Sequence, residues 1–107
     1  MCGITGLINF HDRVLLHDMC NLLEHRGPDS DGFYENKNVG LAIRRLSIID
    51  VEGGNQPISN EDEKIWTVFN GEIYNYQELQ DDLKTKGHKF RTNSDTETIV
   101  HAYEEYD

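Results

Sequence analysis

The sequence has 107 residues, 36% of them apolar, with 20 acidic side chains against 10 basic ones and a formal charge of −10. That length allows one small domain or a portion of a larger one, with a modest core. The acid excess repels phosphate backbones and anionic lipid, so nucleic-acid and membrane-surface partners are disfavoured, and no apolar run approaches the roughly 20 residues of a spanning helix.

The N-terminus lacks a basic segment followed by an apolar one, so no secretory leader is expected. Two cysteines, Cys2 and Cys20, without such a leader fit a reduced, cytoplasmic setting. None of the five histidines lies at zinc spacing from another histidine or a cysteine, which argues against a metal site.

In chain order, GITGLINF is rich in branched residues and predicts a strand over about 3–9. Leu15, Leu16, Met19, Leu22 and Leu23 recur at helical spacing and predict a helix over 13–24 that carries Cys20. Gly27 and Pro28 in HRGPDSDG stop it. Strands are expected near 32–35 and 39–44 around the turn ENKN. The polar stretch 51–64 reads as a loop, and IWTVFNG at 65–71 as a strand ending in a turn. Asn75 and Glu78 resemble a capping pair for a helix over 76–86, HKF reads as a short strand, and Ser94 with Glu97 has the form of a capping box for a last helix.

Candidate chemistry begins at Cys2. Removal of Met1 would leave it as the first residue, with a thiol and a free α-amine on neighbouring atoms. Four turn-rich stretches beside strand ends, HRGPDSDG, RRLSIID, FNGEIYN and SDTE, hold residue types suited to a small zwitterion. An arginine takes a carboxylate through paired hydrogen bonds, and an acidic side chain takes an ammonium. An Asn-Gly pair offers a side-chain amide and an open backbone N–H for an oxyanion. Each also has a plainer role: Asn70-Gly71 as a hairpin turn, Asp95 as a favourable acid at a helix start, HRGPD as a helix stop. Strand alternation sends Arg44 and Arg45 to opposite faces, so only one can reach a common pocket.

MCGITG, HRGPDSDG, RLSIID, GGNQP, NGEIYN and SDTE, in this order and along the whole chain, resemble the class II glutamine amidotransferase domain. Within that family the resemblance is greatest to the glutaminase half of glutamine-hydrolysing asparagine synthetases. It implies an α+β fold, part of an αββα N-terminal-nucleophile hydrolase sandwich of largely antiparallel sheets with flanking helices. It implies that residues 1–107 form the N-terminal part of the amidotransferase domain, without the synthetase domain.

The implied activity is hydrolysis of glutamine to glutamate and ammonia, with Cys2 as nucleophile and its own α-amine as base. Asn70 and the N–H of Gly71 match the family's oxyanion hole. Arg45 matches the clamp on the substrate α-carboxylate, and Asp95 the group that holds the α-ammonium. Leu46, Ser47, Ile48, Ile49 and Glu72 match the pocket lining. No cofactor is implied in this chain; ATP and Mg2+ belong to the synthetase domain. The implied partners are glutamine, the C-terminal half of the domain and an ATP-dependent synthetase domain, in cis or in trans. A non-catalytic glutamine- or partner-binding module, and an N-terminal-nucleophile hydrolase of another amide, remain alternatives.

Overall fold

A computed structural model describes residues 2–46 and 55–106. Its elements are β1 (Gly3–Ile8), α1 (Arg13–Asn21), β2 (Ser30–Glu35), β3 (Val39–Arg45), β4 (Ile58–Ser59), β5 (Trp66–Thr67), α2 (Tyr76–Thr85) and α3 (Asp95–Tyr106). Two antiparallel sheets and three helices make a mixed α+β fold, as the resemblance implied.

The larger sheet has the order β1-β3-β2. Asp12 starts α1, its carboxylate accepting the Leu15 N–H at 2.9 Å. The helix lays Leu16 and Cys20 on the sheet, where they pack with Leu7 and Ala42. Alternation sends Ala42 and Ile43 to opposite faces of β3, and both are fully buried, so the central strand is covered on both sides. α1 ends at Asn21 rather than at 24, and residues 22–26 continue as turns into HRGPD.

The smaller sheet differs from expectation. The segment read as a loop contains β4, which pairs Ile58 with Thr67 and Ser59 with Trp66. The polar residues Ser59 and Asn60 are buried because Arg91 donates to the Ser59 hydroxyl and to both backbone carbonyls. β5 is shorter than predicted, since the Phe69 N–H donates to the Gln56 side chain instead of a strand. HKF is not a strand: the His88 N–H goes to the Leu83 carbonyl and the Lys89 N–H to the Glu61 carboxylate.

The helix starts are also corrected. Asn75 makes no side-chain cap on α2. Ser94 does cap α3, accepting the Thr96 N–H at 3.1 Å. Glu97, however, does not close a capping box. It is buried and accepts from the backbone N–H groups of Arg91 and Thr92, from the Thr92 hydroxyl, and meets His101 Nε2 at 2.9 Å.

The two sheets meet at β2. Tyr34 stacks on Trp66 with ring centroids 4.2 Å apart. The backbone at Gly32 lies so close to Gln56 that a Cβ there would fall 1.8 Å from the Gln56 carbonyl oxygen. Only glycine fits that crossing.

Candidate functional site

The proposed nucleophile stands just before β1. The β1–β3 ladder ends at the pair Gly3–Arg44, and Cys2 and Arg45 are the residues next beyond that pair. Cys2 is half-buried, and its carbonyl accepts a hydrogen bond from Arg26 Nε at 3.2 Å. HRGPD is therefore a helix stop that also packs against the chain start. Its Gly27 lies on the β3 backbone, where a Cβ would come within 2.3 Å of Arg44.

Arg44 and Arg45 divide as alternation requires. Arg44 is occupied structurally: Nε donates to the Gly27 carbonyl at 2.9 Å and Nη1 to Asp31 at 3.3 Å. Arg45 is different. Its backbone carbonyl accepts the Asp29 N–H, but the Nε and Nη1 atoms of its side chain are buried without a hydrogen-bond partner among the described residues. A buried guanidinium with open donors is costly unless a carboxylate or similar acceptor comes to it.

Cys20 has the opposite character from a nucleophile. It is fully buried against the Ile43 carbonyl, and burial, with the nearby Asp31 charge, pushes its thiol above the ordinary range despite Arg44. Both cysteines are free thiols.

A second group of predicted residues lies after β5. Asn70, Gly71 and Glu72 are exposed. The next residue, Ile73, donates its backbone N–H to Asp95 Oδ2 at 2.9 Å. Asp95 thus ties the NGEIYN loop to the start of α3, while among the described residues Oδ1 meets only the Thr96 hydroxyl, at 3.5 Å. Sequence reasoning gave Asp95 a ligand role and missed this tether.

Gln56 of the GGNQP stretch was missed as an individual residue. It accepts the Phe69 N–H at 2.6 Å, donates to the Thr96 hydroxyl at 3.3 Å, and lies on Gly32. It links the Asn70 loop and the SDTE helix to the larger sheet. Among the described residues, no hydrogen bond or ion pair runs directly from Cys2 or Arg45 to Asn70, Gly71, Glu72 or Asp95. Leu46 is half-buried beside Arg45, whereas Ser47, Ile48 and Ile49 lie outside the described residues. No helix among the described residues is long and apolar enough to cross a membrane.

An α+β fold with these six motifs in order defines an amidotransferase class, and the family comparison agrees. The model of the glutamine amidotransferase domain matches residues 1–107, and the chain belongs to that family. It is 50% identical to asparagine synthetase [glutamine-hydrolyzing] 1 of Bacillus subtilis (strain 168), over 99% of this chain and 18% of that protein. It is 48% identical to asparagine synthetase [glutamine-hydrolyzing] 1 of Arabidopsis thaliana, over 99% of this chain and 19% of that one. The chain thus spans about a fifth of the length of these curated relatives.

Proposed function

We propose that this chain supplies the catalytic cysteine and most of the glutamine clamp of an asparagine-synthetase-type glutaminase, as the N-terminal part of its amidotransferase domain. The observation that carries the reading is Arg45, whose buried Nε and Nη1 lack a partner among the described residues and which, like Cys2, stands one residue beyond the last pair of the β1–β3 ladder. Those donors suit the α-carboxylate of an amino acid.

With Met1 removed, the Cys2 thiol passes its proton to its own α-amine and Sγ attacks the side-chain amide carbon of glutamine. An α-amine titrates near pH 7.7–8.0, so about a tenth of it or more is free to act as base at neutral pH, far more than a lysine side chain supplies. The oxyanion that forms is held by the Asn70 amide and the Gly71 N–H. The tetrahedral intermediate collapses, the C–N bond breaks, and the α-ammonium returns the proton to the departing nitrogen as ammonia. Water then attacks the thioester, its proton passing again to the α-amine, and glutamate leaves with the thiol restored.

In this scheme Asp95 serves twice. Oδ2 fixes the Asn70 loop through Ile73, and Oδ1 is left for the substrate ammonium. Leu46, Ser47, Ile48, Ile49 and Glu72 complete the lining. ATP, Mg2+ and the ammonia acceptor belong to a synthetase domain outside this sequence, and the partners are that domain and the remainder of the amidotransferase domain.

Ammonia release from glutamine by the chain joined to the segment that follows this region in the relatives tests the proposal. Cys2→Ser should abolish it while glutamine still binds. Equal activity in Cys2→Ser would overturn it.

A further inference from the structure

Four side chains outside the glutamine site converge on one point. Glu61 comes from the β4–β5 turn, His88 from the loop after α2, and His101 and Glu104 from α3. His88 Nδ1 lies 3.3 Å from His101 Nδ1, 3.1 Å from Glu104 Oε1 and 3.5 Å from Glu61 Oε2. His101 Nδ1 lies 3.2 Å from Glu61 Oε1. One ligand atom from each residue falls within 4.8 Å of all the others.

We propose that Glu61, His88, His101 and Glu104 form a structural zinc site that clamps the β4–β5 turn and the loop after α2 to α3.

The spacing fits the metal. A tetrahedral zinc with bonds of about 2.0–2.1 Å to nitrogen and oxygen holds its ligand atoms about 3.3–3.4 Å apart. The histidine pair, His88 to Glu104, and each Glu61 oxygen to its nearer ring lie close to that edge length; with a single Glu61 oxygen as ligand the four atoms span up to 4.8 Å, a spread that a bound ion would draw in.

The tautomers fit as well. His101 Nε2 meets Glu97 Oε2 at 2.9 Å, and His88 Nε2 meets Glu105 Oε1 at 3.0 Å. Carboxylates face both nitrogens of each ring; in the tautomer with the proton on Nε2, that proton goes to Glu97 or Glu105 and Nδ1 is free to ligate. In the neutral rings both Nδ1 lone pairs then face each other and the two carboxylates. A divalent cation resolves that repulsion. A carboxylate behind each ligating histidine is the usual support of a zinc site.

The acidic ligands are held too. Glu61 Oε2 accepts the Lys89 N–H at 3.1 Å, and Glu104 Oε2 accepts from the Asn60 amide at 3.0 Å. Each ligand therefore has its own support. Four protein ligands leave no open position, and two nitrogens with two carboxylate oxygens favour zinc over magnesium or calcium.

The test uses the full chain with Cys2→Ala, which removes the one thiol that is not buried. The protein is stripped with chelator and titrated with Zn2+ and, separately, Co2+. One equivalent of Zn2+ should bind and raise the melting temperature, and Co2+ should give the intense visible bands of a tetrahedral site. His88→Asn and the isosteric Glu104→Gln should abolish the Co2+ bands. Glu105→Gln, which changes only the support behind His88, should weaken Zn2+ binding by about 10- to 100-fold. A folded chain that takes up no stoichiometric Zn2+, or one whose binding survives both ligand substitutions, would overturn the proposal.

Discussion

The side-chain oxygen of Gln56 accepts the backbone N–H of Phe69 at 2.6 Å, and the amide nitrogen of the same side chain donates to Thr96. One glutamine thus stands in for a strand partner where β5 ends. It fixes the residue just before Asn70 and reaches the helix that carries Asp95. Gln56→Ala would leave the part-buried Phe69 N–H unpaired, at a cost of about 1–3 kcal/mol. The urea midpoint should fall accordingly. Turnover should fall as well, because the Asn70 loop loses its anchor.

Arg45 and Asn70 should separate binding from turnover. In the proposed mechanism Arg45 pairs with the substrate carboxylate, so Arg45→Ala should weaken glutamine affinity by about 1.5–3 kcal/mol. Asn70→Ala removes an oxyanion donor and should slow turnover by about 100- to 1000-fold with little change in affinity. Steady-state kinetics with calorimetric binding distinguishes the two. An Asn70→Ala effect confined to affinity contradicts the oxyanion role.

Much of this arrangement is legible in the sequence. Of the residues whose spacing predicts α1, Leu16 and Met19 do face the core, while Leu15 and Leu22 are exposed and Cys20 takes the buried position instead; alternation alone separates Arg44 from Arg45. What the sequence hides is where polar side chains replace backbone partners. Gln56 truncates β5, Arg91 allows Ser59 and Asn60 into a buried strand end, and Glu97 abandons its capping box for Arg91, Thr92 and His101. Each depends on contacts between residues at least four positions apart, most of them between different elements. The same holds for His88 and His101, whose 13-residue separation matches no zinc spacing and whose Nδ1 atoms nonetheless lie 3.3 Å apart.

Glu97 gives a pH prediction. Burial pushes its carboxyl up, but the hydrogen bonds from His101, Arg91 and Thr92 outweigh burial and hold it below the usual carboxylate range. A lowered folded value means stability that is fully present above the unfolded value, about 4.3, and lost as pH falls through the folded one. With chelator present, urea midpoints should therefore drop steeply below about pH 4.3. Glu97→Gln should be less stable at neutral pH and show a shallower acid loss. An unchanged slope would mean that Glu97 gains nothing from its ionised form.

The surface predicts self-association. Ile8, Val14 and Leu22 are each more than 70% exposed and Tyr74 is 91% exposed. An apolar groove of about 490 Å3 lies between α2 and α3, lined by Ile73, Leu79, Ile99, Ala102 and Tyr103. The charge of −10 slows contact but does not cover apolar surface. Sedimentation velocity on the 107-residue chain should show oligomers that grow with concentration. Joining the segment that follows in the relatives should return a monomer.

Central to the account is that Cys2, freed of Met1, is the nucleophile of a glutamine site built on Arg45. A glutamine analogue with an electrophilic ketone in place of the side-chain amide tests this on the extended protein, read by intact mass and peptide mapping. The account predicts protein lacking Met1 with one adduct, on Cys2. Glutamine should protect against it, Arg45→Ala should slow it, and Cys20 should stay unmodified. Retained Met1, or labelling of Cys20 as fast as Cys2, would contradict it.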